Sequence, residues 1–470
     1  MLLVGLSVSA ISAIAIPSRS TYGAQVSVDE PQYLLTAMSI ANDFNLDISD
    51  EIEEKKFLSF HEVALNTQTI DMNDSGQRLS PHDPLLPLLL ALPMKIGGWV
   101  GARLFLSALA GILASTALWV AVRRFKVSIK TASWTIGVFS AAPPLSSYGS
   151  QIYPELPAAL AVICAISTAT GRTSKVNSIG FAVSITALPW LSIKYLPVAF
   201  AIFLLFVLNK KNWESKILFY ATLIILFLMS FFYLLFHHRV YGSWTVYAAG
   251  DHFVGNEFEV LGGNPDIWGR SKRLTGLLID RGFGIIAWTP AFLFLPLSFG
   301  FLSKKRIENW SYLILPFVMG WAVATWAAFT MHGWWWPGRQ IVIILPLGVI
   351  AVAIFVDTFK KLLYPLIISA LIGTAGWVYL AIESQTGRRA LIVDFEETLW
   401  PWYKVWSKIF PDLRRMPSNT MWLSSFWSVL VVVLFIAGWA LASRNKDSLT
   451  SERTYTDMTA GNLNGHSSIR

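Results

Sequence analysis

Apolar runs of membrane-spanning character recur along this chain, separated by short polar stretches. They fall near 1–17, 99–122, 131–147, 155–170, 177–191, 194–208, 216–237, 283–302, 311–331, 340–357, 361–382 and 421–443. A helix needs roughly 20 apolar residues to cross the hydrocarbon core, and backbone polar groups in lipid must be satisfied within the helix. The pattern therefore predicts an all-α polytopic membrane protein with about twelve transmembrane helices. The first run is short: about 17 residues at a rise of ~1.5 Å cover roughly 25 Å. Its Ala-rich end, Ala13 and Ala15, suits signal-peptide cleavage, but no basic segment precedes it. It is read as an uncleaved helix.

The polar stretches are unequal. The longest, 18–98, opens with a helix-like segment from Pro31 to Phe44 and continues into acidic residues from Asp43 to Glu54. It closes on an apolar run from Pro84 to Ile96, interrupted by Pro87 and Pro93. About 13 residues is too short to span, so this run is expected to lie along the interface. The stretches 238–282, 332–339 and 383–420 are the other loops on the same side. The transmembrane domain is thus 1–443, and the Ser-, Thr- and Asn-rich tail 444–470 reads as disordered and cytoplasmic.

Charge sets the orientation. Short loops carry Arg123, Arg124, Lys126 and Lys130; Arg172 and Lys175; Lys210, Lys211 and Lys216; Lys304, Lys305 and Arg306; Lys360 and Lys361; and Arg444 with Lys446. With both termini cytoplasmic, every one of these clusters lies inside, and the longer, acid-bearing loops lie outside. Only 14% of residues are charged, against about 25% in soluble proteins. The net charge of +8 sits mostly in those inner loops, so nucleic acid is not an expected partner. Many of the 21 Trp stand at the ends of apolar runs, as an interfacial belt requires. A single cysteine, Cys164, leaves no disulfide framework or Cys-based metal site. No Walker loop, dinucleotide fingerprint or internal repeat occurs, so an ATP-driven pump is unsupported.

Six constellations could carry chemistry, all in the outer loops or at the outer ends of helices. Asp29-Glu30-Pro31-Gln32-Tyr33 places two acids at a helix start, where Pro31 suits the first turn. They are either dipole-favoured caps or a carboxylate pair ready to accept a proton from a hydroxyl. His82 and Asp83 precede the interfacial run, as a turn with a cap or as a polar cluster touching a lipid-linked substrate. Tyr153-Pro154-Glu155 offers a further acid at a helix start. Lys194 stands alone among apolar residues between Pro189 and Pro197. An ionisable group there either snorkels to the interface or holds a phosphate. Arg270, Lys272, Arg273 and Arg281 break the positive-inside tendency, which suits anionic headgroups or a phosphate leaving group. The sixth is His332-Gly333-Trp334-Trp335-Trp336-Pro337-Gly338-Arg339, where the Trp run suits an aromatic belt or sugar rings and Arg339 suits phosphate.

Taken in order, these patches resemble the GT-C superfamily of membrane glycosyltransferases, in its protein O-mannosyltransferase and aminoarabinose transferase branch. Asp29-Glu30 with Tyr33 looks like the acidic motif of the first loop. Pro81-His82-Asp83-Pro84-Leu85-Leu86-Pro87 is similar to the opening of the juxtamembrane helix, and Gly101-Ala102-Arg103-Leu104 to the start of the next span. Tyr153-Pro154-Glu155 lies where a second acid is found, although relatives often carry Asp. Leu191-Ser192-Ile193-Lys194-Tyr195 resembles a lysine-bearing break between spans. Pro337-Gly338-Arg339-Gln340, followed by Leu345-Pro346, is similar to a late-loop arginine pattern. The resemblance runs from about Val4 to Leu347. His82 stands where a lysine is common, and 383–420 has no matching feature.

The resemblance implies a GT-C-like bundle and a sugar donor carried on a polyprenyl phosphate, with an extracytoplasmic acceptor that is protein, glycan or lipid. It implies direct displacement at the anomeric carbon with inversion, without cofactor or metal. Asp29 is then the general base, and Glu30 and Glu155 orient acceptor or sugar. Lys194, Arg270, Arg273 and Arg339 stabilise the departing phosphate, and Tyr33, His82, Asp83, Tyr153 and His332 line the substrate. Two other readings stand beside it. A flippase or transporter for lipid-linked saccharides would place its binding groups near the midplane and show repeats. A non-catalytic scaffold would not bring Asp29 and Glu155 together. With no organelle-targeting signal, the expected location is a plasma membrane, bacterial in type.

Overall fold

The computed structural model describes residues 1–72, 76–246 and 266–464. The first apolar run is helix α1 (Leu2–Ala13). The long polar stretch then folds as α2 (Glu30–Asp43) and α3 (Ser49–Glu53). A hairpin follows, pairing β1 (Ile70–Met72) antiparallel with β2 (Gln77–Leu79), Asp71 opposite Arg78. This hairpin departs from the all-α expectation. Its outer edge is fastened by distant residues: the Arg78 N–H donates to Asp47 Oδ1 (3.0 Å), and the Ile48 N–H to the Arg78 carbonyl (2.9 Å).

Helix α4 (Leu85–Arg123) joins the interfacial run to the next span. Between them Gly98 adopts φ 57° and ψ −153°, a conformation open only to glycine, and the helix breaks there. The expected division at 96–99 is therefore a backbone event rather than a loop. The bundle continues with α5 (Ile129–Ala141), α6 (Glu155–Ala169), α7 (Lys175–Leu191), α8 (Leu196–Leu208) and α9 (Lys216–Tyr241). Past the undescribed 247–265 come α10 (Ile267–Ser271) and α11 (Arg273–Ile279).

The apolar run 283–302 is not one helix. It forms α12 (Ile285–Trp288), turns at Pro290 with Thr289 extended, and resumes as α13 (Phe294–Lys305). Proline cannot donate to the helix ladder, and the residue before it is pushed to extended geometry. Helix α14 (Ser311–Ala322) runs into a π-turn, Val323–Ala327. It is followed by α15 (Leu345–Thr358), α16 (Leu363–Gln385), α17 (Pro401–Trp406) and α18 (Thr420–Asn464). Helix α18 thus passes Ser443, where the sequence reading ends the last span.

Among the described residues four helices are long and apolar enough to cross a membrane: Leu85–Arg123, Lys216–Tyr241, Lys360–Gln385 and Thr420–Ser443. Leu2–Ala13, Glu155–Ala169, Ile193–Leu208, Ser311–Ala327 and Leu345–Thr358 are apolar but shorter. The expected dozen spans thus become four full-length ones and a set of shorter apolar helices. Helix α9 turns Phe227, Leu228, Phe231 and Phe232 outward. Such a face is stable against lipid and costly against water. The packed interior lies among α1, α4–α8 and α12–α16.

Candidate functional site: a charge cluster at the helix ends

Each acid in the site starts a helix. Asp29 occupies the N-cap position of α2, yet its side chain makes no capping bond. Its Oδ2 instead accepts from Arg339 Nη2 at 2.7 Å. Glu155 opens α6, and its Oε1 accepts from Arg339 Nε (3.0 Å) and Lys194 Nζ (2.8 Å). Lys194 sits in the break between α7 and α8, where Ser192 is extended and Ile193–Tyr195 form a single 3₁₀ turn. Arg339 follows Gly338, whose φ of 85° turns the chain inward at the start of the 339–341 turn. The guanidinium lies between the rings of Tyr153 (4.0 Å) and Trp335 (4.8 Å), a cation–π sandwich. Four segments that are far apart in sequence thus meet in one cluster of two acids and two bases.

The three acids differ in what they can reach. Glu30 and Glu155 are fully buried, whereas Asp29 keeps 8% of its surface. Both Glu30 oxygens accept backbone N–H groups, Oε1 from Ile152 and Oε2 from Ser27, each at 2.7 Å. Glu30 therefore fastens the segment before α2 to the segment before α6. Burial pushes the Glu30 carboxyl above its ordinary value, with Arg103 and those N–H groups opposing. Burial also acts on Asp29, but the charges of Arg339, His82 and Lys194 outweigh it and hold the carboxyl below its ordinary value. Asp29 is ionised at neutral pH.

The cations retain capacity. Among the described residues Arg339 Nη1 has no hydrogen-bond partner, and Lys194 Nζ hydrogen-bonds only Glu155 while lying 5.2 Å from the Tyr195 ring. The other Glu155 oxygen, Oε2, is buried without a partner. The arrangement can therefore hold an anion against Arg339 and Lys194 while Asp29 stays at the edge.

The remaining expected residues divide. Tyr33 packs its ring 4.4 Å from His82, whose Nδ1 lies 3.1 Å from Ser80 Oγ. Asp83 is buried and bound to Tyr233, His237 and the Ile193 N–H. Arg270 Nη1 donates to the Trp326 carbonyl, and Arg273 to the carbonyls of Ala328 and Phe329. Those carbonyls belong to the π-turn and the residues just beyond it, so these two arginines cap a helix end. His332 lies 3.8 Å from Asp280 and edge-on to Phe283. The Trp run is split: Trp334 is exposed, while Trp336 is buried against Trp288 and Trp377 rather than in a belt.

Five further residues belong to the site's frame. Arg103 is buried and donates to the carbonyls of Ile16, Ser18 and Gln25, which shapes the entry to α2. Tyr233, His237 and Tyr241 recur every four residues on α9, a polar stripe visible in the sequence. Trp335 covers Arg339. Among the described residues Asp43, Asp50 and Glu51 approach closely enough to share a cation, but the Lys56 ammonium already lies 2.9 Å from Asp50 and 3.4 Å from Glu51.

Solved structures similar to this one include ArnT from Cupriavidus metallidurans bound to undecaprenyl phosphate, with a TM-score of 0.48 and 11% identity, covering 93% of this chain and 77% of that one. The same protein in its apo state gives 0.46 and 12%, covering 92% and 74%. The oligosaccharyltransferase of Archaeoglobus fulgidus in the apo form gives 0.42 and 11%, covering 86% and 55%. No protein-family model and no curated protein matches the chain.

Proposed function

We propose that this chain is a GT-C-type membrane glycosyltransferase that moves a sugar from a polyprenyl-phosphate donor to an extracytoplasmic acceptor. The observation that carries the reading is Arg339 bound to both Asp29 and Glu155. A scaffold has no need to gather these acids, nor to keep an arginine nitrogen without a partner beside them. The donor phosphate binds Arg339 Nη1 and Lys194 Nζ. As the bond from the anomeric carbon to the phosphate oxygen breaks, the electron pair goes to that oxygen. The two cations stabilise the charge that develops there.

Asp29, the acid with surface left to it, takes the proton of the acceptor hydroxyl as that oxygen attacks from the opposite face, which inverts the anomeric centre. Base catalysis of this kind is worth roughly 10²–10⁴-fold. Glu155 holds the two cations together and Glu30 fixes the loop that carries Asp29. Arg270 and Arg273 act on the helix end they cap rather than on the phosphate. The test is transfer of labelled sugar from a panel of polyprenyl-phosphate donors in membranes carrying this chain, with the product's anomeric configuration read by NMR. Transfer with inversion from one donor supports the reading. Retention, or no transfer from any donor, removes it.

A further inference from the structure

We propose that Asp83, clasped by Tyr233 and His237 of α9, is a positioning residue that fixes the helix break presenting Lys194; its catalytic meaning rests on the function proposed above. The break leaves a backbone donor without a helical acceptor. The Ser192 N–H still bonds the Leu188 carbonyl, and the Tyr195 N–H bonds the Ser192 carbonyl. The Ile193 N–H between them donates to Asp83 Oδ2 at 3.0 Å. A half-buried N–H that has left its helix ladder is stabilised by such a partner, and here it comes from a residue 110 positions away. The next residue is Lys194, whose Nζ lies 2.8 Å from Glu155.

The second Asp83 oxygen is held as firmly. Oδ1 accepts from the Tyr233 hydroxyl (2.9 Å) and faces His237 Nε2 (3.0 Å). His237 Nδ1 lies 2.8 Å from the Tyr233 carbonyl, which can only accept. Facing an acceptor, that nitrogen carries a hydrogen, and Nε2 is turned to the Asp83 carboxylate. Trp190, in the last turn of α7, covers both rings at 5.4 Å and 5.6 Å. His237 is fully buried and Asp83 nearly so, so the bonds act in a water-poor setting where hydrogen bonds to charge are strong. One carboxylate thus ties together the first outer loop, α9 and the break between α7 and α8. Among the described residues Asp83 makes no hydrogen bond or ion pair with Asp29, Glu155 or Arg339; it acts through the backbone at Ile193.

The experiment uses the full chain, purified in lipid nanodiscs, as wild type, Asp83→Asn, Lys194→Met and the double variant, with His237→Gln and His237→Leu as a second pair. Amide exchange across 188–196 is measured without donor, and transfer is measured over a range of donor concentrations. The clasp predicts that Asp83→Asn and His237→Leu speed exchange at Ile193 about tenfold, while His237→Gln, which keeps a donor toward Asp83, stays near wild type. Asp83→Asn should also lower kcat/KM for donor about tenfold, and should add less than about twofold once Lys194 is Met. Unchanged exchange at Ile193, or an Asp83→Asn effect equally large in the Lys194→Met background, overturns the proposal. A wild type that transfers nothing removes the glycosyltransferase reading, and the exchange measurement still decides the clasp.

Discussion

Arg339 is the residue on which the site turns, because two of its nitrogens serve different acids while a third is left over. A lysine offers one point charge in place of that fork, so Arg339→Lys loses one of the two pairings. Removing the charge altogether has a signed consequence for pH. With Arg339→Gln, the largest charge opposing the burial of Asp29 is gone, and its carboxyl rises from its lowered value. With Asp29 ionised as the proposed base, the acid limb of kcat/KM moves to higher pH in the variant. A pH profile of donor-dependent transfer reads the shift, and an unmoved acid limb would separate Asp29 from Arg339. The individual groups were legible in the sequence: Asp29 and Glu155 as acids at helix starts, Lys194 as a lone cation between prolines, Arg339 at the end of a Trp run. Their pairing was not, since it depends on contacts 184 and 310 residues apart. The carbonyl partners of Arg270 and Arg273 were illegible for the same reason, because they lie more than 50 residues on.

At the scale of elements, the sequence located most helices and misjudged how they break. Gly98 divides α4, and only its backbone conformation, not its composition, distinguishes an interfacial segment from a span. Gly98→Val forces a branched side chain into that conformation, at a cost of about 1–3 kcal/mol. Thermal unfolding in detergent should show the loss, and equal midpoints would mean that the break does not need glycine. The first loop offers a second test. Burial, reinforced by Asp50, pushes the Glu51 carboxyl up to about 7 from 4.5, and Lys56 opposes. Between those values the folded state binds more protons than the unfolded state, so this group's contribution to stability falls as pH rises from 4.5 to 7. Glu51→Gln should therefore be more stable than wild type at pH 8, with the difference vanishing near pH 4. A gap that does not change with pH would contradict the assignment. The hairpin escaped the sequence reading because its strands are three residues each and are fastened through Asp47 and Ile48 rather than by a local pattern.

Across the whole molecule, the charge cluster and the basic loops occupy opposite ends of the same helices. Helix α6 begins at Glu155 and ends beside Arg172, and α7 begins at Lys175 and ends beside Lys194. The loops at the end that carries the charge cluster also hold one another. The Tyr22 hydroxyl donates to Asp394, and the N–H groups of Leu391 and Ile392 donate to the carbonyls of Arg19 and Ser20. Residues 383–420, which matched no motif, thus fold onto the loop that carries Asp29. Placing the basic ends in the cytoplasm makes Tyr22, which is largely exposed, an outer residue. In a Cys164→Ala background, Tyr22→Cys should react with an impermeant maleimide on intact cells and Lys175→Cys only after permeabilisation. The reverse result would invert the orientation.

The central claim is that Asp29 removes the acceptor's proton. Sugar transfer from the preferred polyprenyl-phosphate donor by wild type and Asp29→Asn, at matched expression and saturating donor, tests it most directly. The account predicts a fall in kcat of roughly 10²–10⁴-fold in the variant with folding intact. Full transfer by Asp29→Asn would contradict it.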